Sequence, residues 1–164
     1  MELQIDKYIG TLEGLVGPAN INTSRLFTPF ASKHPGLKLE IFPTRLKELS
    51  QILGFCYQNQ LAVIPIGGGT QLDLGNPPIR ADIIVNMTKL DQIIDYEPND
   101  LTITVQAGIT LAKLQQILSI NKQFLPIDPP NPNRATLGGT LASNASSLFS
   151  WRRTYPRDFV IGMK

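Results

Sequence analysis

Three segments of this 164-residue chain have residue types and spacing that could do chemistry. The first reads Pro65-Ile66-Gly67-Gly68-Gly69-Thr70-Gln71. Three glycines after an apolar run allow a sharp turn and positive φ. They also bare consecutive N–H groups, which can form an anion-binding nest. Thr70 adds a hydroxyl donor. A diphosphate fits such a loop, and so does a plain surface turn. Two familiar nucleotide loops are excluded. A P-loop ends in Gly-Lys-Ser/Thr, whereas Gly69 is followed by Thr70 and Gln71. A dinucleotide fingerprint starting at Gly67 needs a third glycine where Leu72 stands.

The second segment is Thr136-Leu137-Gly138-Gly139-Thr140-Leu141-Ala142-Ser143-Asn144-Ala145. Its small residues admit a flat ligand or another backbone. Free N–H groups at the start of a helix there would favour an anion. Close helix packing explains the same composition. The third segment is Trp151-Arg152-Arg153 with Arg157 and Asp158. Arginines can reach phosphate bidentately. A solvated face, with Arg157 and Asp158 as a local ion pair, is the alternative.

These segments need elements to position them. Residues 61–66 are an apolar run of strand length that feeds the first glycine loop. Ile83, Ile84, Val85 and Asn86 form a second buried-type strand. Pro43 and Thr44 open a helix, with Thr44 as N-cap and Leu46, Leu49, Ile52, Leu53 and Cys56 on one face. Cys56 is thereby read as core and not as a nucleophile. Strands at 93–96 and 101–107 flank a turn at 97–100, with Leu101, Ile103 and Val105 on the inward side. Thr110 caps a helix whose inner face is Leu111, Leu114, Ile117 and Leu118. A proline-rich loop, 126–132, leads to a tight helix of small residues at 136–144. Residues 38–42 give a short strand, 159–163 begin another, and 1–36 form a lead-in of weak periodicity. The order predicts an α+β fold with mixed sheets, not a regular βαβ array.

Composition excludes several function classes. Fifteen Lys and Arg against thirteen Asp and Glu leave +2, too little to argue for nucleic acid as a partner. A single cysteine excludes an internal disulfide and suits a reducing compartment. One histidine, His34, and one cysteine argue against a metal site built from those residues. No apolar stretch reaches the roughly 18 residues of a transmembrane segment. The first residues lack an apolar signal core. The expected location is cytoplasmic.

Taken together and in order, the motifs resemble the FAD-binding domain of the vanillyl-alcohol-oxidase and p-cresol-methylhydroxylase (PCMH-type) family. The features are the glycine loop after a strand, Ala107-Gly108, Asp128-Pro129, the segment 136–145, and Arg157-Asp158-Phe159-Val160-Ile161-Gly162. The resemblance covers roughly residues 38–164. Within the family, Pro-Ile-Gly-Gly-Gly-Thr and Leu-Ala-Ser are similar to the FAD-binding subunit of glycolate oxidases. The chain departs from the family pattern at Ser146-Ser147, where Gly-Gly is common, and at Arg152-Arg153-Thr154, where Arg-Tyr-Gly is common.

The resemblance implies a two-lobed fold: a lead-in at 1–37, a smaller lobe at 38–100, and the first part of an incomplete larger lobe at 101–164. It implies non-covalent FAD, since His34 lies outside both glycine segments. Ile66, Gly67, Gly68, Gly69, Thr70 and Gln71 would hold the diphosphate. Asp128, Thr136, Leu137, Gly138, Gly139 and Ser143 would line the diphosphate and flavin side. Val160 would meet the adenine end through its backbone. The motifs name no catalytic residue. The implied activity is hydride transfer from a 2-hydroxy acid to flavin N5, with the chain inactive by itself. The implied partners are other glycolate oxidase subunits, a flavoprotein and an iron–sulfur protein, through which it would associate with a membrane. A non-catalytic binding or assembly module is the alternative.

Overall fold

The structure, a computed structural model, describes residues 6–23, 39–145 and 155–164. It is α+β, and its contacts divide it into two compact units. Unit 1 comprises Met1–Ile66 and Leu72–Leu90. Unit 2 comprises Gly67–Gln71 and Asp91–Lys164.

Unit 1 is built on a four-stranded mixed sheet in the order β1-β2-β4-β3. Its strands are β1 (Ile21–Asn22), β2 (Leu39–Ile41), β3 (Val63–Ile66) and β4 (Ile83–Asn86). β2 and β3 flank β4 in parallel, and β1 joins β2 antiparallel. A parallel strand buried on both faces reads as a continuous apolar run. β4 does so: Ile83 and Val85 pack with the main core, and Ile84 packs with Ile66 and Ala81. Pro65 is tolerated because β3 is an edge strand.

Two helices cover the main core, α1 (Asp6–Val16) and α2 (Leu46–Gln58). The sequence reads 1–36 as a lead-in, yet α1 buries Leu12 and Val16 and packs against α2. Tyr8 meets Phe55 edge-on at 5.4 Å. The α2 cap falls at Arg45, one residue later than expected. Thr44 lies before it and donates through N (2.8 Å) and Oγ1 (3.0 Å) to the buried Glu48 carboxylate. Arg45 Nε adds a bond at 2.9 Å. Burial pushes the Glu48 carboxyl up, but these donors outweigh it and hold it below its ordinary value.

The inward face of α2 is Glu48, Ile52 and Cys56, with Leu49 and Phe55 beside it. Leu46 and Leu53 were expected there and are exposed instead. At about 100° per residue they fall on another stripe of the helix, with the exposed Tyr57. Cys56 is core, and burial, aided by the Asp82 charge, pushes its thiol up to about 11.

Unit 2 holds a hairpin of β5 (Ile93–Glu97) and β6 (Thr102–Val105), then α3 (Leu111–Ile120) and α4 (Leu137–Ser143). Its core is Ile109, Leu111, Leu114, Leu118 and Ile127, joined by Ile103, Val105 and Ile117. Leu101 was expected on that side. It closes the hairpin turn in the left-handed region (φ 57) and is 77% exposed. Thr110 caps α3 as expected, its Oγ1 accepting from Lys113 N at 3.2 Å.

The strand expected at 159–163 does not form. Pro156–Phe159 is a 3₁₀ turn, and Ile161 and Met163 are exposed without a sheet partner among the described residues. His34, Arg152, Arg153, Ser146 and Ser147 lie outside the described residues.

Candidate functional site

The glycine loop and the start of α4 come together inside unit 2. The reason is local. Residues 132–138 run beside 107–112, joined by Ala112 N to Pro132 O (3.0 Å), Leu111 N to Ala135 O (2.9 Å), Leu137 N to Ile109 O (2.9 Å) and Gly138 N to Ala107 O (2.8 Å). The α3 start therefore fixes the segment carrying Arg134, Ala135 and Thr136. Gly67 and Gly68 lie directly on that segment. A Cβ on Gly67 would sit 2.1 Å from Thr136 Oγ1, and one on Gly68 would sit 1.6 Å from the Arg134 carbonyl oxygen. Neither position accepts a side chain. Gly69 has a separate reason, a left-handed backbone at φ 68.

The two segments differ in where their N–H groups go. A helix begins with four N–H groups that lack helical partners. In α4 three of the four find partners in the protein. Leu137 and Gly138 donate to Ile109 and Ala107, and Gly139 to the Thr136 hydroxyl at 3.2 Å; the helical ladder then begins with Thr140 N to Thr136 O at 2.9 Å. At the α4 start the Leu137, Gly138 and Gly139 donors are thus spent, while the Thr136 N–H and the buried Thr140 hydroxyl find no partner among the described residues. By contrast, no N–H from Gly67 to Gln71 finds an acceptor among the described residues. The loop is half-buried. Its bare donors, the missing Cβ atoms of Gly67–Gly69 and the change of backbone sign at Gly69 make it the better anion cradle.

The other expected site residues are placed as follows. Ile66 ends β3 and is buried with Ala81 and Ile84. Asp128 is exposed in the proline-rich loop, next to the buried Pro129. Gly138 packs on Ala107, whose Cβ would be 2.8 Å from an added Cβ. Ser143 Oγ donates back to Gly139 O at 2.8 Å. The Val160 N–H is taken by Arg157 O at 3.1 Å, which leaves its carbonyl. No hydrogen bond among the described residues joins Asp128 or Val160 to the loop. Asp158 closes the 3₁₀ turn by accepting from Tyr155 N at 2.7 Å, and its ion pair with Arg157 is long, 3.9 Å.

Sequence reasoning missed Arg134. Its Nη2 donates to the Gly68 carbonyl at 3.0 Å. The signal available was an arginine two residues before the Thr-Leu-Gly-Gly motif.

Comparison with known proteins decides the family. The family description "FAD binding domain" matches residues 37–164. The chain belongs to the FAD-binding domain family. It is 29% identical over 124 residues to glycolate oxidase subunit GlcD of Bacillus subtilis, covering 76% of this chain and 26% of that one. It is 31% identical over 122 residues to the mitochondrial D-2-hydroxyglutarate dehydrogenase of Arabidopsis thaliana, covering 74% and 22%. The chain thus spans about a quarter of the length of these curated relatives. Among solved structures, alkyldihydroxyacetonephosphate synthase matches with a TM-score of 0.80 at 20% identity, over 96% of this chain and 35% of that one. p-Cresol methylhydroxylase matches at 0.71 and 15% identity, over 88% and 30%. These structures share the fold, and PCMH-type is the kind of FAD-binding fold it is. FAD carries a diphosphate, and the loop's free N–H groups are chemically suited to one. Among the described residues no helix is long and apolar enough to cross a membrane.

Proposed function

We propose that this chain is the FAD-holding part of a flavin-dependent 2-hydroxy-acid oxidoreductase, with glycolate or D-2-hydroxyglutarate type substrates. The observation that carries the site assignment is the row of unsatisfied N–H groups from Gly67 to Gln71. These grip the diphosphate, with Ile66 anchoring the loop and Thr70 adding its hydroxyl. Thr136, Leu137, Gly138 and Gly139 serve as the bed under the loop: Thr136 packs against Gly67, and the N–H groups of the other three are spent. Asp128 and Ser143 line the flavin side, and the Val160 carbonyl meets the adenine end. In this reading the smaller lobe is 38–100 and the larger begins at 101.

When bound, FAD supplies the ring that accepts a hydride, and the protein's part is binding and orientation. The flavin is held non-covalently. The substrate class rests on relatives named as glycolate oxidase and D-2-hydroxyglutarate dehydrogenase. Other glycolate oxidase subunits, a flavoprotein and an iron–sulfur protein, are the proposed partners. The proposed location is cytoplasmic, reaching a membrane through those partners. Positioning a substrate against the flavin supplies much of the rate in such reactions.

The test is direct. The chain is titrated with FAD, and binding is followed by quenching of flavin fluorescence. Binding of FAD in preference to riboflavin, with all colour released on acid precipitation, is the expected result. Equal affinity for FAD and riboflavin would remove the diphosphate assignment, and flavin fluorescence on the denatured gel band would remove non-covalent binding.

A further inference from the structure

The Gly68 carbonyl is held in a way that bears on the donors beside it. The carbonyl of one residue and the N–H of the next belong to one planar trans peptide and point to opposite sides. Arg134 Nη2 draws the Gly68 oxygen toward the Arg134 guanidinium at 3.0 Å. The Gly69 N–H of that same peptide is therefore turned away from the guanidinium. A peptide between two glycines has little steric resistance to flipping, so the loop needs something to hold it. Arg134 is well placed for that. Its own N donates to Asn131 O at 3.0 Å, and its neighbours Pro132 and Ala135 are tied to the α3 start. The Arg134 side chain is exposed and has no carboxylate partner among the described residues.

We infer that Arg134 is a positioning residue for the anion cradle: it locks the peptide between Gly68 and Gly69 so that the Gly69 N–H faces a phosphate. The inference rests on the phosphate-loop reading above and deepens it. Arg134 acts through the Gly68 carbonyl, so a replacement that keeps a donor on a long stem keeps most of the function.

The experiment compares the full chain with Arg134→Met and Arg134→Lys, using inorganic pyrophosphate and FAD as probes. Calorimetry gives affinity, thermal melting gives stability, and the Gly69 amide resonance reports the peptide orientation. Losing one hydrogen bond to a charged group corresponds to about tenfold in affinity. Arg134→Met is expected to bind pyrophosphate and FAD about tenfold more weakly, with a shifted and broadened Gly69 amide and a melting point close to the parent's. Arg134→Lys is expected to recover most of the affinity and the parent's Gly69 position. If the parent binds and Arg134→Met binds equally well, the role of Arg134 is overturned while the loop assignment stands. An affinity loss in Arg134→Met that lysine does not rescue, or that merely follows a fall in stability, also overturns it. If the parent binds neither probe, the loop assignment falls and the inference falls with it.

Discussion

The two glycine-rich segments of unit 2 look alike in sequence and do opposite things with their backbone. The α4 start spends the N–H groups of Leu137, Gly138 and Gly139 on Ile109, Ala107 and Thr136. The loop from Gly67 to Gln71 leaves its own without acceptors among the described residues. Glycine content alone is therefore a poor guide to an anion site. What distinguishes the two is whether the protein itself answers the donors. The glycines differ in purpose as well. Gly67, Gly68 and Gly138 are glycine because another part of the chain occupies the space of a Cβ. Gly69 is glycine for its backbone angle.

The strongest way to break this contrast is Gly68→Ala. Its methyl would meet the Arg134 carbonyl, a backbone atom that cannot swing aside. The expected cost is about 3 kcal/mol of stability, the upper end for overpacking. FAD affinity should fall roughly hundredfold, equivalent to two hydrogen bonds to a charged group. Denaturant unfolding and flavin titration measure both. Parent-like behaviour in both would mean that the loop does not rest on residues 134–136.

A smaller effect is expected from Thr136→Val, which removes the acceptor of the Gly139 N–H without changing side-chain volume much. Loss of such a cap costs about 1–2 kcal/mol, and FAD affinity should fall far less than in Gly68→Ala. A drop in affinity equal to that of Gly68→Ala would show that the α4 start holds the phosphate after all.

The start of α2 offers a third case, in which donors are answered by a carboxylate. The Glu48 pKa is lowered in the folded protein. Its stabilisation is thus fully present above the unfolded value of about 4.3 and is lost as pH falls through the lower folded value. Acid titration of stability should show this loss in the parent and a flatter acid limb in Glu48→Gln. Identical acid limbs would mean that Glu48 contributes nothing to the pH dependence.

The smallest effect expected is a gain. Gly54 lies within α2, and an added Cβ meets nothing within 4 Å. Gly54→Ala should stabilise by about 0.5–1 kcal/mol, the ordinary helix penalty of glycine. A loss of stability would contradict the separation between glycines that packing requires and glycines it does not.

Much of this was legible in the sequence because local signals and tertiary packing agreed. β4 is an unbroken apolar run, and α3 has both its Thr110 cap and an inward face at helical spacing. The motif order was enough to identify the family. α1 was not legible: Gly10 and Gly14 weaken its helical signal, and burial of Leu12 and Val16 overrides that weakness. The outer stripe of α2 was misjudged because Leu46 and Leu53 carry hydrophobicity without facing the core. At the site, the two glycine segments could be found from sequence. Which of them keeps more free donors could not, since the answer depends on the carbonyls of Ala107 and Ile109, about thirty residues away. The contact of Arg134 with Gly68 spans 66 positions and was equally hidden.

The most direct measurement of the central claim is the set of backbone amide resonances recorded with and without FAD. The account predicts large shifts for Gly67, Gly68, Gly69, Thr70 and Gln71, saturating with the affinity found by fluorescence, and small ones for Leu137, Gly138 and Gly139. Large shifts at the α4 start with a silent glycine loop would contradict it.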